Sequence, residues 1–193
     1  MASKTSDPAI NLFNNLTIGS TGYLQGGAGD VFSIAGNLVN HSTQNTVWHT
    51  GASTLTFAGS GPHEFDFAGV DLGQNRTGYT DNFAFGDLSL ALGEILNVMD
   101  GNPSNAGTAF YAHLFQITGN NLAELANIHS AFNIYYDQTL AGNAYLAGGS
   151  YALNGGGFLE TVDAAVVPTP EPGSLVLLAT GVLAAGWYRR RAS

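Results

Sequence analysis

The chain has 193 residues, 45% of them hydrophobic and only 10% charged, and it contains no cysteine. That is enough apolar material for one domain with a core, and it excludes a disordered chain, which would combine few apolar residues with many charges; the missing cysteines exclude disulfides, thiolate metal sites and a cysteine nucleophile. Before Pro168 thirteen Asp and Glu face only Lys4 and Arg76, a net charge of −11, so the body cannot neutralise a phosphate backbone and nucleic acid is no partner.

Met1 to Pro8 contains one lysine, then Asp7 and Pro8, with no apolar core behind it. It does not read as a signal peptide. An outward-facing body needs an export signal, so the expectation is that one precedes this stretch and is missing from it.

From Asn11 to Val162 short apolar runs are broken by Gly, Asn, Asp and Ser, the punctuation of an all-β chain. Val31 to Ala35 opens the series and Thr54 to Phe57 follows. In His63 to Phe67 the period of two puts Phe65 and Phe67 inward and Glu64 and Asp66 on the other face. Phe83 and Phe85 repeat that spacing. Three further runs, Asp87–Leu92, Ala112–Ile117 and Phe132–Asp137, begin some twenty to twenty-five residues apart. Two of them are followed by a second short run, Ile95–Val98 and Leu122–Ile128. Such a period, with one apolar face per strand, favours a parallel β-solenoid or β-helix-like stack. An antiparallel β-sandwich is the competing architecture, although its strands usually recur every 8 to 12 residues. Leu122 to Ile128 also reads as a short helix. Adjacent Tyr135 and Tyr136 must point to opposite faces, so one is expected at the surface, with Asp137 beside it.

No constellation of a catalytic or metal site emerges. The five histidines, His41, His49, His63, His113 and His129, match no zinc spacing, and His63 and His113 read as surface or hydrogen-bonded residues, His113 at the start of a strand. Gly59-Ser60-Gly61 lacks the spacing of a serine-nucleophile elbow. Polysaccharide cleavage generally takes a pair of carboxylates, for which Asp66, Asp71, Asp81 and Asp87 are the candidates. With no paired motif, the chain is read as a non-enzyme without a cofactor. Calcium is the one cation considered, since Asp100, Asn102 and Asn105 could supply part of the six to eight oxygens it takes.

The last stretch is ordered differently. Asp163 to Thr169 lacks turn chemistry and reads as an extended linker, and Pro168, Pro170 and Pro172 at alternate positions hold the segment extended. Then come the triplet Pro170-Glu171-Pro172, an uncharged run from Leu175 to Tyr188, and Arg189, Arg190 and Arg191. The run, carried by Leu175, Val176, Leu177, Leu178, Val182, Leu183 and Trp187, is expected to form one minimal C-terminal transmembrane helix, just under the usual 17 to 25 residues. Trp187 and Tyr188 suit the headgroup level, and the arginines act as a basic stop on the cytoplasmic side, with the body outside.

A Pro-Glu-Pro triplet, a short apolar helix and a terminal arginine cluster resemble the PEP-CTERM sorting signal of exported proteins of Gram-negative bacteria. The run from Phe132 to Phe158 resembles, more loosely, the end of the exported body in such proteins. The resemblance implies recognition by an exosortase, an integral membrane enzyme with a cysteine-protease-like site, transient residence in the inner membrane, and removal of the tail near the triplet. It also implies a setting rich in extracellular polysaccharide, which becomes a candidate partner. The resulting division is an exported all-β domain over 1–162, a linker over 163–169 and a sorting signal over 170–193. The expected function is a structural or adhesive component of the envelope or extracellular matrix. The alternatives are a secreted polysaccharide-acting hydrolase and a permanently anchored carbohydrate-binding module.

Overall fold

The structure is a computed structural model that describes residues 8–101 and 107–162. Two sheets make up the body. The first holds β1 (Ile10–Phe13), β3 (Val31–Ile34), β5 (Thr50–Phe57), β7 (Phe85–Leu90), β9 (Ala109–Ile117), β11 (Asn133–Asp137) and β13 (Phe158–Val162), side by side in that order, with β12 (Tyr151–Ala152) outside β13. The second holds β2 (Leu16–Ile18), β4 (Leu38–Asn40), β6 (Pro62–Phe67), β8 (Ile95–Asp100) and β10 (Ile128–His129). Up to β11 the chain therefore crosses from one sheet to the other with every strand. Among the described residues every strand pair is parallel except β12 with β13. The antiparallel sandwich does not form, because each strand pairs with the one two places on rather than with its successor.

The inner faces meet in one core. Phe57, Phe65, Phe67, Phe85, Phe110, Leu88 and Leu96 are at most 2% exposed, and the Phe65 ring lies 5.3 Å from Phe57 and 4.9 Å from Phe110 across the two sheets. The alternation read in β6 is the one observed: Phe65 and Phe67 are buried, Glu64 is exposed and Asp66 half-buried. Phe83 is buried too, but outside any strand and in a left-handed conformation with φ 58°. Leu122–Asn127 is a 3-10 helix whose Asn121 cap accepts from Ala123 N, and Ile128 then enters β10.

Equivalent positions expose the uneven winding. Phe13, Ile34, Phe57, Leu90 and Ile117 stand in one register, at steps of 21, 23, 33 and 27 residues. Stacking at strand spacing leaves no room for side chains at the corners: a Cβ on Gly59 would sit 2.5 Å from the Ala35 carbonyl oxygen. His63 ties the same corner. It is buried, its Nδ1 lies 2.7 Å from the Gly36 carbonyl and its Nε2 2.6 Å from Glu94, whose other oxygen accepts from Gly59 N.

One irregularity crosses three neighbouring strands. The pairing of β5 with β7 shifts register between Thr50 and Thr54. In β7 the core face passes from Phe85 to Leu88 and Leu90, and in β9 from Ala112 to Phe115 and Ile117. The register shift, a β-bulge or like irregularity, lies between β5 and β7, while β7 and β9 keep one register across it and change phase together. Asp87, His113 and Leu114 are consequently carried to the outer face of the first sheet.

Among the described residues no helix is long and apolar enough to cross a membrane. The expected helix over Leu175 to Tyr188 lies outside them.

Candidate functional site

The outer face of the first sheet gathers most of the body's unusual side chains. The segment after β6, from Val70 to Thr80, folds back over this face. Asn82 anchors its start, accepting from Val70 N at 2.7 Å and donating to Val70 O at 2.9 Å. Further on, the Tyr111 hydroxyl accepts from Leu72 N and donates to Gly73 O. Beneath the segment lies a second small core of Ala84, Ala109, Tyr111, Tyr135 and Val162. Tyr111 and Tyr135 stack at 4.7 Å, and the Tyr135 hydroxyl donates to Asp71.

This overturns two expectations. Tyr135 and Tyr136 do point to opposite faces, yet both are buried, because the outward one is covered by the returning segment. Asp137 is 1% exposed rather than a surface residue. Arg76 Nη2 donates to its Oδ2 at 2.6 Å, while Oδ1 accepts from the N–H and hydroxyl of Thr139. Burial alone would raise this carboxyl, but the Arg76 and Thr139 donors and the Arg76 charge override it and hold the group below its ordinary range.

His113 lies in the middle of β9, not at its start. Its ring stacks on Tyr79 at 4.0 Å, and the Arg76 guanidinium stands 6.0 Å from the Tyr79 ring centre. Burial lowers His113 from its usual value, and nearby Arg76 adds to that against Asp137, so the imidazole is neutral at pH 7. Burial likewise pushes Tyr135 up to about 12 and raises Tyr79 and Tyr111 beyond that. His113, Tyr79 and Arg76 thus form one stacked cluster over the outer face of the first sheet.

Past Ala112 and Tyr136, the last residues that β9 and β11 pair with each other, the open backbone groups are met by a residue that sequence reading did not single out. Asn143, 1% exposed, accepts from Phe115 N at 3.0 Å and donates to the carbonyls of His113 and Asp137 at 2.8 Å. Tyr145 donates to Phe115 O at 2.7 Å. These are the backbone groups an interrupted ladder leaves open. An Asn in a 3-10 turn carries no sequence signal for that task.

Two groups are exceptions to this satisfaction, the Tyr79 hydroxyl and Asp87 Oδ1, each buried with no hydrogen-bond partner among the described residues. Burial pushes the Asp87 carboxyl up to about 6. A carboxyl raised in the folded state costs stability when ionised. The cost is full above pH 6 and fades as pH falls toward the ordinary value of 3.8. Asp87→Asn is expected to stabilise the body by about 1–2 kcal/mol at pH 7, after allowance for partial solvent access, and by much less at pH 4. Urea unfolding midpoints at the two pH values check this; an equal gain at both would refute it.

The four candidate carboxylates do not come together as one group. Asp66 projects from the outer face of the second sheet and Asp87 from the outer face of the first, with the core between them. Asp71 is bound by Tyr135 and by Gly73 N, and Asp81 directly follows the covering segment at φ 50°. Asp100 accepts from the Thr108 hydroxyl; Asn102 and Asn105 lie outside the described residues. Among the described residues no three His, Asp or Glu side chains are placed to hold a metal ion. A shallow trough near the bulge is lined by Ser89, Gln116, Thr118, Gly119, Asn120 and neighbours, all uncharged.

Fold and charge together define a stacked parallel-β body with its reactive side chains tied into structure. The C-terminal segment then identifies the class: residues 168–191 match the family described as the PEP-CTERM protein-sorting motif. The match takes in Pro170, Glu171, Pro172, the apolar run and Arg189 to Arg191, all outside the described residues. A motif of this kind supports export along a pathway of Gram-negative bacteria with processing by exosortase, a membrane enzyme. No curated protein and no solved structure matches the chain.

Proposed function

We propose that the body is a structural or adhesive component of the cell envelope or extracellular matrix, built as a two-sheet parallel β-solenoid and released there from a temporary C-terminal anchor. The observation that carries this reading is how the scarce ionic groups are used. Arg76 with Asp137, His63 with Glu94, and Asp71 with Tyr135 each tie one coil or covering segment to another. Side chains spent in this way hold a scaffold together. A hydrolase would need two carboxylates converging on one bond, and the opposite placement of Asp66 and Asp87 favours the non-enzymatic reading. The uncharged trough beside Gln116 suits a neutral extracellular polysaccharide as the contact of such a scaffold, through hydroxyl and amide groups.

Intact-mass measurement of the protein recovered from its native envelope tests the release step. The expected mass lacks Arg189, Arg190 and Arg191. A mass that retains them sinks the temporary anchor and leaves the permanently anchored binding module.

A further inference from the structure

The two ends of the stack are finished differently. At the far end β12 runs antiparallel along β13, and in the second sheet β10 is covered by a segment through which Asn154 N bonds Ile128 O and Ser130 N bonds Asn154 O. At the near end β1 and β2 have a strand on one side only among the described residues. In β1 the carbonyls of Ala9 and Phe13 accept from β3 and the residue after it. Parallel pairing uses alternate residues, so the N–H and C=O of Ile10 and Leu12 line the open edge. Their side chains are 71% and 76% exposed. In β2, Leu16 and Ile18 bond toward β4, which leaves Thr17 facing outward.

Natural sheets blunt such edges with charge, proline or bulges. This one has no Asp, Glu, Lys or Arg from Pro8 to Gly29, and Pro8 stands before the strand. The first charge beyond, Asp30, is turned inward to accept from Ala9 N and Gly27 N. The acidic excess lies in the rest of the body, so like charges oppose a second copy least at this neutral end.

We propose that the β1–β2 edge is a self-association surface through which two copies of this chain join end to end. A single two-fold axis along the sheet normal reverses strand direction while keeping each sheet in its own layer. The same rotation therefore sets β1 against its mate and β2 against its mate, both antiparallel, and the two sheets continue across the junction. The contact is isologous and therefore closes at two copies.

The absence of cysteine makes the test direct. Ile10→Cys and Leu12→Cys each place one thiol on an exposed position of β1, and Ala152→Cys places one on the capped end. With the full chain in detergent micelles, oxidation of the two β1 variants, singly or mixed, is expected to give a covalent dimer in at least one combination. The three combinations cover the registers that keep both outward faces together, within the reach of a disulfide. The Ala152→Cys chain is expected to give no covalent dimer on oxidation. Leu12→Lys, which puts a charge on the edge without touching the core, is expected to weaken dimerisation at least about tenfold by light scattering. A chain that stays monomeric at about 100 μM, well above the micromolar range of ordinary specific pairing, overturns the proposal. So does a dimer that is indifferent to Leu12→Lys, which would place the association elsewhere.

Discussion

Asp137→Ala is expected to lower the stability of the body by about 3–4 kcal/mol at pH 7. The carboxylate is 1% exposed and receives the Arg76 guanidinium at 2.6 Å together with two donors from Thr139. Removing it strands those donors and frees the covering segment from β11. Breaking a buried pair usually costs about 3–5 kcal/mol; the lower part of that range applies because the Arg76 side chain is 39% exposed. The pH dependence has a definite sign. Asp137 titrates below its ordinary 3.8 in the folded protein, so its contribution is whole above that value and is lost as pH falls through the lower folded one. The wild-type advantage in urea midpoint should be full at pH 7 and shrink as pH falls below 3.8. A difference that persists unchanged in acid would show the side chain acting by packing alone.

Phe65→Ala is expected to cost about 3–5 kcal/mol, the range for deleting a buried aromatic ring. The ring meets Phe57 at 5.3 Å, Phe67 at 5.4 Å and Phe110 at 4.9 Å, and it is 1% exposed. No neighbour can collapse into the space, because each sits in a strand whose register is set on both sides. Phe65→Leu should cost less, about 1–3 kcal/mol, since most of the buried volume remains. Thermal or urea unfolding of the two variants side by side checks the order; equal losses would point to a specific aromatic requirement instead of volume.

The residues behind these two predictions were unequally legible. Phe65 was plain, because in His63 to Phe67 polar and apolar residues alternate strictly and the strand does the same. Asp137 was misjudged for a reason of the same kind. Alternation tells which face a side chain takes but not what later covers that face, and the cover over Tyr135 and Asp137 comes from residues sixty positions earlier. Asn143 was invisible, since its partners are backbone groups left open where the β9–β11 ladder ends. Strands β1, β2, β4 and β12 are two to four residues long, too short for periodicity to stand above the glycine-rich background.

What the chain determined by itself is local. Strict alternation marked β6, short apolar runs marked β3, β5, β7, β8, β9 and β11, and the order of triplet, apolar run and arginines marked the sorting tail. A signal of that last kind is read by a partner along a short extended segment, so it has to be written in consecutive residues. Tertiary structure alone decided the register. Parallel strands in a stack are joined by turns of any length, here with steps between 21 and 33 residues, so equivalent positions cannot be found by counting. It also decided which strands stand at the edges among the described residues, because an edge is defined by the strand that is not beside it.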